Sequence, residues 1–347
     1  MSRSPGVASL ERRSAYVLVA PAVLILAGVA LYPTLAAVWM SLHRMIVVFH
    51  DRRFVGLDNY AFMWSDARFW SALWNTVYFS FVAVAIELVL GIIFALLLDD
   101  PWKSHPFGCS AAAPAGDAPG KSHRFGCSTP SGVPPLRVFR SGSQRLAAAS
   151  AGDVRSTGRA LLRAAILIPW AIPTVVSAKM WAWLLNADYG LLVAAMPGPK
   201  IDWLGSPSLA IHAAILVDVW KTTPFVAFLL LAGLVTIPRD LYDAAQIDGA
   251  SHLQTFARVT LPLLKPTLAV TLIFRTLDAF RVFDVVYVLT EGGPANTTET
   301  LSVYAYKMLM RAGDFGYGSA LSVATFACVM ALAAGYIRLL GSSAGVR

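Results

Sequence analysis

Four ionisable residues recur every third position in one apolar stretch of the chain: Arg275, Asp278, Arg281 and Asp284, in "RTLDAFRVFD". On a helix, residues three apart are neighbours, so each charge can pair with the next one of opposite sign. Such a set serves one of two ends. It lines a polar pathway, where carboxylates accept hydrogen bonds from solute hydroxyls and guanidinium groups donate them. Alternatively, it makes structural ion pairs with other helices. Steps of three also rotate around the helix, so all four cannot face one way. A second stretch, "DVWKTTPF" (Asp218 to Phe225), offers aromatic faces at Trp220 and Phe225 and a hydroxyl at Thr222. Asp218 and Lys221 stand three apart and can pair with each other. Pro224 removes a backbone donor and predicts a break or kink there. Glu87 and Lys179 are isolated ionisable residues in further apolar runs and read as a structural pair or helix–helix contacts.

Other chemistries fail on context. "AGDAPGKS" (Ala115 to Ser122) matches the loose form of a phosphate-binding loop. That loop works only between a strand and a helix, whose N-terminus faces the phosphates. Here Pro114 and Pro119 surround it and "HRFGCSTPSG" follows. His105, Cys109, His123 and Cys127 are the ligand types of a zinc site. They arise, however, from a duplicated segment, "KSHPFGCS" returning as "KSHRFGCS", and their spacing is unusual. His212 is the only histidine in a long apolar run, and no constellation for a membrane-embedded enzyme accompanies it. Cys109, Cys127 and Cys328 imply no disulfide framework.

The elements that must position these residues follow from composition. The chain has 347 residues, of which 57% are hydrophobic and only 14% charged. Its mean hydropathy is +0.61. Soluble domains carry roughly a quarter charged residues. Six runs are long enough to cross a bilayer, which takes about 20 residues. They are Tyr16–Met40, Asn75–Leu98, Leu161–Leu185, Leu209–Ile237, Pro266–Thr290 and Tyr317–Leu340. The first is too long for the core of a cleaved signal and reads as a retained span. In the fifth, Arg275 to Arg281 fall around mid-membrane. The expectation is an all-α integral membrane protein of six transmembrane helices.

Positive charge orients it. With the N-terminus inside, the cytoplasmic segments hold 17 of the 28 Lys and Arg, and the outer segments 7. Both termini are then cytoplasmic, in a multi-pass protein of the cell membrane. The net charge of +8 follows from this bias, and no nucleic-acid partner is needed to explain it. The domains expected are a cytoplasmic N-terminus (1–15) and two spans with an outer loop (16–98). A cytoplasmic loop (99–160) follows, rich in Gly, Pro, Ala and Ser, with a disordered, repeat-containing insertion at about 104–153. A four-span core (161–340) and a cytoplasmic tail (341–347) complete the chain.

Between the fourth and fifth spans lies a polar segment, 238–265, containing "DAAQIDGASHLQTF". Asp240 to Ile247 reads as a short helix with acids at its positive end. Gly249 permits a sharp turn. Ser251 and Gln254 form a capping box that starts a second short helix. Leu253, Phe256 and Ala257 share one face of it, and Pro262 is expected to end it. On physical grounds alone, this unit either packs at the membrane interface or docks to a partner.

The pattern "AAQIDGA…F…TLPLLKP" resembles the EAA loop of the membrane subunits of binding-protein-dependent ABC importers. "FVGLDNYAFMW", "ILIPWAIPTVV", "WKTTPF", "LAGLVTIP" and "FDVVYVLTEGGP" are similar to their carbohydrate branch, the maltose, trehalose and glycerol-3-phosphate type. The likeness covers nearly the whole chain outside Ser104–Asp153. It implies an ABC importer permease fold with cytoplasmic coupling helices. It implies that Asp243, Ala244, Ala245, Asp248, Gly249, Phe256 and Pro262 belong to a docking element seated in an ATPase groove. Asp243 stands where the family usually has Glu, one methylene shorter. The likeness also implies that Trp220, Thr222 and Phe225 belong to a substrate site. Lys221 stands where a neutral residue is common. The implied assembly is a heterodimer with a second permease, two ATPase copies and an outer binding protein, in a lipid bilayer. This chain would be no enzyme and would hold no cofactor, ATP being bound by the separate subunit. The solute implied is a di- or oligosaccharide, with a polyol phosphate such as glycerol-3-phosphate as alternative. An ion-coupled carrier would leave the polar loop unexplained.

Overall fold

The computed structural model describes residues 19–47, 51–99, 164–198 and 200–341. Segment 1–15, the 99–160 loop and the 341–347 tail lie outside the described residues, apart from Asp99 and Gly341. The loop's repeat, its Cys109 and Cys127, its phosphate-loop look-alike and its His/Cys set therefore lie outside them too.

The first span is helix α1 (Val19–Ser41). A two-stranded antiparallel hairpin follows, β1 (His43–Ile46) and β2 (Asp51–Phe54), with Arg44 opposite Arg53. A short helix, α2 (Asp58–Ser65), leads into α3 (Ala67–Asp99). At 33 residues, α3 is about 50 Å long, well beyond the roughly 30 Å hydrocarbon thickness. The expected second span covered only its inner part.

The third span is broken. Helices α4 (Ala164–Ala171) and α5 (Thr174–Leu184) meet at 95°. Pro173 explains the site of the break, because its ring disfavours helical backbone at Ile172. A short helix, α6 (Leu191–Ala195), precedes α7 (Ala210–Val235). Contrary to expectation, α7 runs through Pro224 without a break. It is the most enclosed span, and tight neighbours hold a helix together at a proline. Thr223 donates to the carbonyl of Val219, four residues back.

In a bilayer, helices associate through close packing rather than by escape from water. The α3–α7 pair shows this. A Cβ at Gly91 would lie 2.5 Å from Val226 Cγ1. Ala83, Gly91 and Ala95 supply small buried groups on α3 along this contact. Gly233 on the far half of α7 brings that helix as close to Thr267.

The polar segment forms α8 (Arg239–Ile247) and then joins the fifth span, α9 (His252–Ala279). Here the structure corrects two expectations. Pro262 does not end a short helix; α9 continues through it and through Pro266. A wide π-turn at Phe256–Thr260, closed by Leu261 N–H donating to the Phe256 carbonyl, makes room for the proline ring. Nor does the fifth span run to Thr290. It ends at Ala279, so Arg281 lies beyond it, and Asp284 opens a separate helix, α10 (Asp284–Thr290). Helices α11 (Leu301–Tyr306) and α12 (Phe315–Gly341) complete the chain, α12 being the last span.

Five helices among the described residues are long and apolar enough to cross a membrane, and the bent pair makes six. A clasp secures the end opposite the polar segment. Glu299, 1% exposed, receives two bonds from Arg68, at 2.6 and 2.9 Å, and an ion pair from Lys307 at 2.7 Å. The Arg68 guanidinium lies over the Tyr304 ring at 4.5 Å. Asp66 accepts from the Tyr304 and Tyr317 hydroxyls. This ties α3, α11 and α12 together at one end of the bundle.

Candidate functional site

A buried ionic cluster joins three spans. Glu87 of α3 is fully buried. Arg275 of α9 donates to both of its oxygens, Nε to Oε2 at 2.6 Å and Nη2 to Oε1 at 2.7 Å. Thr222 of α7 donates to the same Oε1 at 2.5 Å. Arg275 also reaches Asp218 Oδ2 at 3.3 Å and Asp278 Oδ2 at 2.5 Å. All five donors of a guanidinium point outward in a fixed plane, so one Arg can bind several carboxylates at once. Removing a charge pair from water is costly, and good geometry with further hydrogen bonds offsets that cost.

Beside the cluster opens a cleft of about 440 Å³, lined by Trp170, Asp218, Thr222, Asp278, Arg281 and Asp284 among others. The predicted pathway residues thus divide. Arg275 is enclosed behind the cleft. Asp278 and Arg281 are exposed to it, 4.0 Å apart, and Thr222 sits at the boundary. Trp220 and Phe225 turn toward the third span. Trp220 packs edge-on against Trp181 at 5.5 Å, and Phe225 stacks on Trp170 at 6.1 Å. Among the aromatics of that group, Trp170 is the one on the cleft wall.

The expected Asp218–Lys221 pair does not form. Lys221 instead donates to the carbonyls of Ile172, at 2.8 Å, and Trp170, at 3.4 Å. These carbonyls are freed by the break between α4 and α5, and an ammonium group satisfies them where water is scarce. Asp218 turns to Arg275. Glu87 was read as a structural contact, and it is one. Its place at the centre of a cluster had no local signal, since its partner lies 188 residues away. Lys179 remains exposed.

At the opposite end of α9, the turn and the capping box of the polar segment form as expected, while Pro262 does not end the second helix. Helix α8 closes with Gly249 at φ +74°. Gly249 N–H donates to Gln246 O, and Ala250 N–H to Ala245 O; this double closure is the Schellman motif. Ser251 and Gln254 cap each other reciprocally, at 2.9 and 3.4 Å. One side of the unit is anchored. Tyr242 is buried among Leu98, Leu230, Leu234 and Leu264, and Thr260 donates to its hydroxyl. Arg239 bonds Asp99 at 3.0 Å, at the end of α3. The other side is bare: Ile247 is 85% exposed and Leu253 76%. Asp243, Ala245 and Phe256 are half-buried, and Ala244, Asp248, Gly249 and Pro262 are exposed.

Comparison with known proteins agrees with this arrangement. The family described as "Binding-protein-dependent transport system inner membrane component" matches residues 146–342. The trehalose/maltose transport system permease protein MalF of Thermococcus litoralis is 38% identical, over 95% of this chain and 94% of its own. The trehalose transport system permease protein SugA of Mycobacterium tuberculosis is 36% identical, over 96% and 91%. The crystal structure of a bacterial ABC transporter that imports the acidic polysaccharide alginate superposes with a TM-score of 0.68. It covers 96% of this chain and 99% of its own at 18% identity, and so shares the fold. Broken span, anchored polar loop and sequence agreement over nearly the full length converge: this chain belongs to the binding-protein-dependent transport system inner membrane components, and its fold is that of an ABC importer permease.

Proposed function

We propose that the chain carries a neutral di- or oligosaccharide across the membrane, driven by ATP that a separate cytoplasmic subunit binds and hydrolyses. The observation that carries this reading is helix α9. It begins in the anchored polar loop and bears Arg275 23 residues later, about 35 Å along one continuous helix. A push on the loop therefore reaches the polar cleft without passing through a flexible joint. Ile247 and Leu253 supply the bare apolar contacts that an ATPase groove would cover, and Asp243, Ala244, Ala245, Asp248, Gly249, Phe256 and Pro262 form the unit that seats there. Both termini then face the cytoplasm.

The cleft suits an uncharged polyol. Asp218, Asp278 and Asp284 face it with Arg281 and Lys221. Arg275 is held by carboxylates and is not free to take a phosphate. This favours a sugar over glycerol-3-phosphate, in line with the trehalose and maltose named for the relatives above. Trp170 offers a flat face for a sugar ring, and Asp278 accepts hydroxyl hydrogen bonds. A second permease chain, two ATPase copies and an outer binding protein complete the assembly.

Co-purification tests the docking step. The tagged chain is expressed with the proteins encoded beside it and solubilised mildly. The native chain should retain an ATPase, and Gly249→Glu should lose it, because a charged side chain then sits at a positive-φ turn within the docking surface. Retention by both, or by neither, contradicts the docking.

A further inference from the structure

Asp218, Lys221, Thr222 and Phe225 fall on one stripe of α7, because positions three and four apart on a helix share a face. The stripe grips two different spans. Asp218 and Thr222 hold Arg275 of α9, each at 3.3 Å. Lys221 and Phe225 hold the third span. The Lys221 ammonium donates to the Ile172 carbonyl at 2.8 Å and to the Trp170 carbonyl at 3.4 Å. One turn on, the Phe225 ring stacks on the Trp170 indole, with the planes 13° apart. Trp170 is thus gripped from α7 both at its backbone and at its ring.

The backbone grip answers a need that the break creates. Pro173 fixes where α4 stops, but not the direction in which the chain leaves. Carbonyls at the end of α4 have no helical donor beyond them, and unpaired carbonyls are costly in a membrane. Lys221 is 9% exposed. Its ammonium has three donors, enough for both carbonyls at once. An apolar residue at 221 would leave them open and the corner free to change its angle. Trp170 and Thr174, on either side of that corner, both stand on the cleft wall. Trp170 keeps 50% of its surface exposed, so the grip from α7 leaves the indole open to a solute.

We propose that Lys221 is a positioning residue for the sugar. It pins the corner of the broken third span to α7 and so sets the Trp170 indole on the cleft wall, while its own ammonium is committed to the corner carbonyls. The inference rests on the transport reading above. Because the same stripe holds Arg275, α7 keeps Trp170 in register with the ionic cluster on the other side of the cleft.

Two readouts test this in the complete complex. The first is the fluorine resonance of Trp170 in protein carrying 5-fluorotryptophan, assigned by its loss in Trp170→Phe. Lys221→Met should move and broaden that resonance. Lys221→Arg, whose guanidinium can also donate to two carbonyls, should restore it. The second is ATP-driven uptake of labelled trehalose into vesicles, with loaded binding protein at saturation. Trp170→Ala and Lys221→Met should each lower the rate about tenfold. The double variant should fall no further, because residues that act through one contact are not additive. Lys221→Arg should keep most of the native rate. Should Lys221→Met fail to assemble with the ATPase, Lys221→Gln takes its place under the same outcomes. An unmoved Trp170 resonance in the Met variant overturns the inference. So do losses that multiply in the double variant, which would make Lys221 a direct contact of the sugar. Either result leaves the transport reading standing. A native complex that takes up no trehalose overturns the transport reading and the inference with it.

Discussion

Arg275 bears the greatest load of any single side chain. It is 2% exposed and bonds both oxygens of a fully buried glutamate. Arg275→Met would leave Glu87 charged and unpaired in a dry interior, at a cost of about 3–5 kcal/mol. The double variant Glu87→Gln/Arg275→Met should recover part of that loss, because the fully buried glutamate charge is gone and only Asp218, at the edge of the cleft, is left without its cation. Thermal unfolding in detergent reads both, and equal losses in the two would refute the pairing. A second residue-scale expectation concerns pH. Burial pushes the Asp66 carboxyl up, but the Tyr304 and Tyr317 hydroxyls and the Arg68 N–H outweigh it and hold the group below its ordinary value of 3.8. A carboxyl depressed in the folded state stabilises above its ordinary pKa, and that stability is lost as pH falls through the lower folded value. Hydrogen exchange of residues 66–69 and 301–306 should therefore stay slow at pH 5 and accelerate only below about pH 4. Acceleration already between pH 7 and 5 would show that Asp66 does not hold this clasp.

At the scale of elements, the α3–α7 contact depends on Gly91. Gly91→Leu has no room against Val226 and should destabilise by about 1–3 kcal/mol. The same change at Gly335, whose Cβ would meet nothing within 4 Å, should be close to neutral; comparable losses at both sites would mean that the close approach at Gly91 is not what sets the cost. Elements with local causes were legible in the sequence. Gly249 and the Ser251–Gln254 box announced the turn after α8, because each acts on backbone groups within a few residues. Prolines misled where tertiary packing decided the outcome. Pro224 and Pro262 sit inside continuous helices, held by neighbouring spans and by the π-turn, whereas Pro173 marks a real break. The ends of the fifth span were misjudged for the same reason, since apolar content alone does not reveal where a helix stops. The hairpin at His43–Phe54 was not foreseen, because it is short and dense in arginine.

At the scale of the molecule, the structure is a bundle whose two ends are treated differently. One end is clasped through Glu299 and Asp66. The other carries a loop pinned on one side by Tyr242 and Arg239 and bare on the other. Helix α9 runs from that loop to the ionic cluster beside the cleft. The six-span plan and the turn after α8 were readable in the sequence, because hydropathy and turn chemistry are local signals. Which charges meet was not readable. Glu87, Asp218, Thr222 and Arg275 come from three spans, and only folding brings them together. The most direct test of the central claim is uptake of labelled trehalose into vesicles containing the complete complex. With binding protein outside and ATP inside, sugar should accumulate, and an ionophore that collapses ion gradients should leave the rate unchanged. Accumulation that proceeds without ATP and stops with the ionophore would contradict the account, and would make the chain a carrier driven by an ion gradient.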